Sequence, residues 1–589
     1  MVCSYWASLL FIVGAGGLLS GAFLVKKSEE KKSALEWMIL LAIMIGCYHA
    51  LFAGVVNLVH IPVNIISVGL GDMLPAACLW YRIIKTKERQ QYEWKWMDTA
   101  FLILLVLFLV LFTWLHYGGT ALLMNYQSID AGVHFRTAMN VYNSGQVAGM
   151  YYDRLQNALF IETLGAFSSV DTFYRWYVLA DVIHLGLAAA VFYAIARRYA
   201  KGFYMQAAGV IMAFIYVAGY PMNSTLFGFA YLGMSITIIG MLTLVMDMYL
   251  ADEVPKWFGI TAMMLGCFGL FTTYVMFVPV VYFALILCIF RRQQGAKKLI
   301  SKETVLICLA VFLIPCILGV WYIFGGIFTG GVTVANAMVN EGGCYRELYA
   351  DFLFFIPAAI LGYVELFRRK KQSLLIFLTP LLLVFTAVVF VMALSGKASS
   401  YYYYKCYFPL WLVLLLLNIC GVAWAAKQTR LLAASVAGVW CACVLMLIGN
   451  IEERIQDKNP NLVLESRVHN YTTIIAFNYG SFKAQEYPAE RLALYSWTYQ
   501  NLLDKGENAV PGVVPYEDSY WFEDVTNQRF ENWDYYRMDG VQLEEKLRES
   551  GAEYVLVLRN APLYYSNADR FDSLERIYEN AEGYVARLK

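Results

Sequence analysis

The stretch MDTAFLILLVLFLVLFTWLHY, Met97–Tyr117, carries a single charged side chain, Asp98. About twenty consecutive apolar residues in a helix cross the roughly 30 Å hydrocarbon core of a bilayer, so this run predicts a transmembrane helix. Runs of the same kind lie near 2–25, 35–58, 61–81, 176–196, 203–219, 226–249, 256–272, 274–290, 303–327, 348–367, 373–395, 405–426 and 431–449. The chain therefore reads as an all-α polytopic membrane protein of about fourteen transmembrane helices, with membrane lipids as its solvent. Its composition agrees: 60% of the residues are hydrophobic and only 15% are charged, against about a quarter charged in a soluble domain.

Basic residues sort the loops between these runs. Twenty-four of the thirty in the first 450 positions fall in alternate loops, from Lys26 and Lys27 through Arg197 and Arg198 to Lys427 and Arg430. The positive-inside rule places those loops in the cytoplasm. The apolar stretch 256–291 is read as two short helices around a break at Thr272–Thr273, because one helix there would put the Arg291–Lys302 cluster outside. The first run has no basic residue before it and no small-residue cleavage pattern, so it is expected to be retained. Both termini are then extracytoplasmic, together with a 57-residue loop, Tyr117–Phe173. Three parts are expected: helices 1–3 over 1–96, a core over 97–450 that includes this loop, and a soluble extracytoplasmic α/β domain over 451–589.

From Ile451 onward the chain holds 24 acidic and 15 basic residues, so the tail carries −9 and the rest +10. No basic stripe lies on a foldable domain, which argues against a nucleic-acid partner. Of twelve cysteines only Cys344 lies in a polar loop and none is in the tail, so paired disulfides are not expected. In the tail, Leu492–Leu503 reads as an amphipathic helix, Gly551–Leu558 as a buried strand, Arg570–Tyr578 as a short helix and Tyr584–Leu588 as a last strand.

The long loop carries the chemistry. About a dozen residues past the fourth span comes Asp130, followed by Phe135, Ala138, Met139 and Tyr142 at helical spacing, with Gly145 to end the helix. Such a helix can lie in the membrane interface with its apolar face down. Asp130 stands at its start, either as a simple N-cap or as a reactive carboxylate, and His134 lies one turn later on the same side. Asp181 and His184 sit three apart in the fifth span, where ionisable groups are costly unless they face an interior or a cavity; Asp247 in the seventh reads as structural. Gly14, Gly16, Gly17, Gly69 and Gly71 suit close helix packing. No phosphate loop, nucleophile elbow or cluster with metal-ligand spacing is present.

An acid just outside the membrane, a His a few residues on, and an interfacial helix ending in Asn143-Ser-Gly145 resemble the first external loop of the GT-C superfamily of membrane glycosyltransferases, which take sugars from polyprenyl-phosphate carriers. The turn Gly219-Tyr-Pro-Met-Asn-Ser224 with Phe227-Gly-Phe229 is similar to external turns in that superfamily, and in the tail the order Leu492–Leu503, Val510–Pro515 and Trp521-Phe with Val525-Thr-Asn-Gln resembles the helix, strand and turn that open many of its periplasmic tails. Lys397-Ala-Ser-Ser-Tyr401-Tyr-Tyr-Tyr-Lys405 looks like its aromatic and basic stretch that meets the carrier phosphate, or else an interfacial tyrosine belt. The departure is Ala131, where many members carry a second acid; a divalent cation is left open there.

The resemblance implies a lipid-linked sugar donor, a glycan, lipid or protein acceptor in the cell envelope, and a site outside the cytoplasmic membrane of a bacterium. Asp130 would be the general base of an inverting transfer, with His134 orienting it. Lys397, Lys405, Arg346 and Arg136 would meet the donor phosphate, and Asp153, Arg154, Tyr401, Tyr403 and Asp181 the substrate. Two other classes fit the same sequence: a transporter or flippase of lipid-linked saccharide, and a non-catalytic relative that binds glycans. Transporters tend to be built from two related halves, and no internal repeat is visible.

Overall fold

The computed structural model describes residues 2–26, 28–147, 169–293, 301–328, 350–353, 355–368, 373–428, 488–529 and 538–588, with single positions at 438, 474, 475 and 478. The helices are α1 Val2–Leu24, α2 Ala34–Leu58, α3 Ile65–Thr86, α4 Trp96–Tyr117, α5 Asp130–Ser144, α6 Tyr174–Tyr199, α7 Phe203–Ala218, α8 Tyr220–Leu226, α9 Ala230–Leu250, α10 Lys256–Thr273, α11 Val278–Gln293, α12 Lys302–Phe328, α13 Ile356–Arg368, α14 Leu375–Leu394, α15 Ser400–Lys405 and α16 Tyr407–Gln428. Nine helices among the described residues are long and apolar enough to cross a membrane. The expected run 431–449 lies outside the described residues except for position 438.

Local chemistry sets the ends. The third helix starts at Ile65, four residues later than hydropathy suggests, because the Asn64 side chain accepts from Ile66 N and Ser67 N at 3.0 and 2.9 Å. Ser67 Oγ returns the bond to Asn64 N at 3.0 Å, which completes a capping box. The break between α10 and α11 falls where the sequence places it. Thr272 hydrogen-bonds back to Phe268 O at 3.1 Å, a contact that bends helices. Tyr274 is then extended, with φ −155° and ψ 102°.

Small residues bring helices together. A Cβ on Gly14 of α1 would lie 2.5 Å from the carbonyl oxygen of Gly69 in α3, so only glycine permits that approach. Charge is buried at one end of the bundle and is paired there. Arg197 binds Asp98 of α4 at 2.8 Å and Glu36 of α2 at 3.4 Å. Arg198 binds Glu253 at 2.6 Å, and Asp247 accepts from Ser373 Oγ and Leu374 N at 3.2 and 3.1 Å. A buried charge without such partners is strongly destabilising, so this network locks α2, α4, α6, α9 and the start of α14 together.

In the tail, helices α17 Ala489–Asn501, α18 Tyr516–Thr526, α19 Gly540–Glu549 and α20 Pro562–Phe571 surround a sheet. After a short pair, β1 Lys32–Ser33 with β2 Tyr92–Glu93, the tail strands are β3 Ala509–Val513, β4 Tyr554–Leu558, β5 Glu575–Glu579 and β6 Gly583–Arg587, in the order β3-β4-β6-β5. Within the tail sheet β3 and β4 run parallel, while β4–β6 and β6–β5 are antiparallel. Two expectations fail here. The second half of the helix expected over Arg570–Tyr578 is instead part of an edge strand, Glu575–Glu579, because pairing with β6 overrides its helix-compatible composition. The segment around Trp521, expected as a turn, is α18, whose first turn carries Glu517 and Asp518, placed well for the helix dipole.

Candidate functional site

The loop helix α5 begins at Asp130 and ends on Gly145, which takes the left-handed conformation at φ 64°. Asp130 is not its N-cap: Ile129 holds that position, and Ser128 Oγ accepts from Asp130 N at 3.1 Å. The carboxylate is thus in the first turn, half-buried. The apolar face does not lie in lipid as expected. Phe135, Ala138 and Met139 are buried within the protein, with Phe135 against Tyr177 at 5.3 Å between ring centroids. Tyr142 is exposed at the far end and packs edge-on against Phe173 at 4.7 Å.

Two neighbours clamp α5. On one side Ala131 is buried against Gly228, where any Cβ would collide with it. A carboxylate at position 131 has no room, so Asp130 lacks a neighbouring acid on that side and the residues do not form a two-acid cation cradle. On the other side α18 of the tail packs against Gly132, with Asp524 and Trp521 within 3.2 Å of where its Cβ would stand. Tyr126, just ahead of α5, stacks on Trp521 at 6.1 Å and donates to Asp181 Oδ2 at 2.7 Å. Asp181 therefore anchors the segment that leads into α5. His184 is half-buried, and its Nδ1 makes no hydrogen bond among the described residues.

Asp130 and His134 share a face of α5, four residues apart. His134 packs on Tyr231 of α9 at 4.6 Å, and Tyr231 on Tyr274 at 5.7 Å. Lys405, only 3% exposed, holds its ammonium 3.9 Å from the ring centre of Tyr401, 5.0 Å from Tyr274 and 5.3 Å from Tyr402. Phe229 closes the circuit, 6.1 Å from Tyr231 and 6.3 Å from Tyr401. A ring of aromatic side chains therefore joins His134 to Lys405. Sequence reasoning missed Tyr231 and Tyr274; the helix break at Thr273 was the signal, since it turns Tyr274 out of the bundle register.

The remaining expected residues are placed apart from this ring. Arg136 lies about 200° around α5 from His134, two residues at about 100° each. It pairs with Glu523, comes within 4.0 Å of Asp524 and sits 5.0 Å over the Tyr520 ring, so it ties α5 to the tail and its guanidinium is committed there. Asp524 is 2% exposed, and burial pushes its carboxyl well above the usual range, with Arg136 opposing and Glu523 adding to the shift. Tyr403 accepts from Tyr407 at 2.8 Å and packs on Phe390. Lys397 is exposed on the turn after α14. Arg346, Asp153 and Arg154 lie outside the described residues.

The stretch expected as a turn, Gly219–Ser224 with Phe227–Phe229, holds instead a short helix, Tyr220–Leu226, buried throughout. Tyr404 donates to Asn223 Oδ1 at 2.6 Å, and the amide of Asn478 caps the carbonyls of Ala218 and Gly219 at 2.7 Å each. Burial follows because these backbone groups find partners in the tail, from Asn478. No group of three His, Cys, Asp or Glu side chains among the described residues is placed to hold a metal ion.

Among solved structures the chain is similar to ArnT from Cupriavidus metallidurans bound to undecaprenyl phosphate. The match covers 83% of this chain and 98% of that one, at 12% identity and a TM-score of 0.43. No family model and no curated protein matches. The functional reading rests on the residues of this chain.

Proposed function

We propose that this protein is a GT-C-type glycosyltransferase that moves a sugar from a polyprenyl-phosphate carrier to a cell-envelope acceptor on the outer face of the membrane. The observation that carries the reading is the aromatic ring joining His134, one turn from Asp130, to the buried Lys405 ammonium. A cation set among π faces is held by their quadrupoles, at a fixed point where a departing phosphate can meet it. Aromatic faces also suit the apolar faces of a sugar ring.

In this reading Asp130 accepts the proton of the acceptor hydroxyl as its oxygen attacks the anomeric carbon, and the bond to the carrier phosphate breaks with inversion. His134 orients Asp130 or the acceptor, and Lys405 stabilises charge that develops on the leaving phosphate. Lys397 is an outer approach for the same anion. The tail helix α18 keeps α5 in register, so that His134, one turn from Asp130, stays against the ring.

The test is transfer from radiolabelled polyprenyl-phosphate sugars in proteoliposomes holding the wild type, Asp130→Asn or Lys405→Gln at matched amounts of folded protein. Losing a general base costs about 10²–10⁴-fold in rate, so Asp130→Asn should be nearly silent. Equal transfer by wild type and Asp130→Asn would overturn the assignment, and movement of the intact lipid-linked sugar without transfer would favour a flippase.

A further inference from the structure

At the other end of α6 from Asp181 a cavity of about 850 Å³ opens among Lys32, Trp37, Lys95, Arg198, Lys201 and Gln206. Arg197 is sixteen residues beyond Asp181, or about 24 Å along the helix axis, so the proposed catalytic ring does not reach it. Its size falls within the 300–1,000 Å³ of small-molecule sites.

Of the five carboxylates that line this cavity, four are committed to closer partners, and the fifth, Glu30, is turned mostly to the outside, 85% exposed. Glu36 faces Arg197 and Arg198, both at 3.4 Å, Glu253 binds Arg198 at 2.6 Å, and Glu93 binds Lys95 at 3.0 Å. Asp247 is held by Tyr199, Ser373 and the Leu374 amide. The cations are not all matched. Lys31 and Lys201 form no ion pair among the described residues. Lys32 is 8% exposed, yet its nearest carboxylate oxygen, on Glu30, is 3.9 Å away, beyond hydrogen-bond distance. The Gln206 side chain makes no hydrogen bond among the described residues and stands in the first turn of α7. That helix starts at Gly202 without a side-chain cap, which leaves its first amides directed toward the same space.

Exposed aromatic side chains follow the lining residues Lys95 and Gly202 in sequence. Trp96 and Phe203 stack at 5.4 Å, and both are exposed, as is Tyr204. Exposed aromatic groups of this kind mark the depth of lipid headgroups. A buried, under-partnered lysine, two uncommitted lysines, a spare amide donor and a helix start share one chemistry, which is recognition of a phosphoryl group.

We propose that this cavity is a binding site for a phosphate-bearing ligand, held by Lys31, Lys32, Lys201 and Gln206 at the membrane interface on the basic face of the protein. The phosphate belongs either to an anionic lipid headgroup or to a soluble phosphorylated compound. The site is independent of the glycosyl-transfer reading.

The experiment uses the full-length protein in phosphatidylcholine nanodiscs, titrated with phosphatidylglycerol, and in parallel with inorganic phosphate and glycerol 3-phosphate. Bound lipid is counted by native mass spectrometry and soluble ligands by the shift in melting temperature. Removing a charge-assisted hydrogen bond from such a site weakens binding roughly tenfold, so one retained phosphatidylglycerol should fall by at least that factor in Lys32→Gln/Lys201→Gln. Lys201→Gln alone, at an exposed position, should show a smaller loss in the same direction and covers the case in which the double variant does not fold. Lys87→Gln, outside the cavity, should bind as the wild type does. Saturable stabilisation by the soluble phosphates with no selective lipid retention assigns the site to a soluble ligand. Phosphatidylglycerol retained no better than phosphatidylcholine, with the soluble phosphates silent, overturns the proposal, as does equal binding by wild type and Lys201→Gln.

Discussion

Gly132 of the loop helix faces Asp524 of the tail so closely that a Cβ on Gly132 would lie 2.9 Å from Asp524 Oδ2. The two residues are 392 positions apart in sequence, and their contact seats the tail on the helix that carries Asp130. Replacing Gly132 by Ala should therefore loosen the seat. Alanine favours a helix by about 1 kcal/mol over glycine, but overpacking against a fixed partner costs about 1–3 kcal/mol. The expected outcome is a lower melting temperature together with reduced sugar transfer. A higher melting temperature would show that α18 yields easily.

Asp524 gives that seat a pH dependence. Its carboxyl is raised by burial in the folded protein, while the unfolded chain keeps the ordinary aspartate value of about 3.9. A raised acid binds its proton more tightly when folded, so its stabilising effect is complete below the unfolded value and is lost as pH rises through the folded one. Glu523, Arg136 and Arg529 are the charged groups that bear on it. Asp524→Asn removes the titration while keeping the shape. The variant should melt above the wild type at pH 7, and the gap should close toward pH 4. Parallel melting curves at every pH would refute this account.

The aromatic ring predicts a split between ring and hydroxyl. Tyr274→Leu removes a π face from the Lys405 ammonium, an interaction of about 0.5–2 kcal/mol, whereas Tyr274→Phe keeps it. Sugar transfer should fall several-fold in the first variant and stay within about twofold in the second, at the carrier concentration that half-saturates the wild type. An equal fall in both variants would show that the phenol and not the ring face is what the site uses, and full transfer in both would show that it uses neither.

Much of this arrangement is legible in the chain because single segments decide it. The length of Met97–Tyr117, the glycine that ends α5 and the break at Thr272–Thr273 are local facts, and the structure repeats them. The tyrosines beside Lys405 could also be seen, since they adjoin it. What stayed hidden depends on contacts between distant segments. Arg136 reads as an outer cation until Glu523 and Asp524 are brought to it by the tail. Tyr231 and Tyr274 read as ordinary aromatic residues of two spans until the bundle sets their rings 5.7 Å apart. Glu575–Glu579 is a strand only because β6 pairs with it, which no window of sequence around it could reveal.

Ala131 bears on the choice between an intact site and a degenerate one. If the alanine marks a lost acid, restoring it by Ala131→Asp should improve transfer. The packing argues the reverse, because Ala131 is fully buried against Gly228, and an unpaired carboxylate in that space must either displace the 226–229 turn or stay desolvated. Burying a polar group without a partner costs roughly 1–3 kcal/mol by mutational measures, and a charge costs more. Because Gly228 and Phe229 are adjacent, moving the turn also moves Phe229 out of the aromatic ring. Ala131→Asp should therefore lower the melting temperature and abolish transfer, with no rescue by added magnesium or manganese, while Ala131→Gly, which leaves the turn in place, should lose little. Metal-dependent gain of transfer in Ala131→Asp would show instead that the cleft can open to admit a second acid, and that the chain is a relative which has lost one.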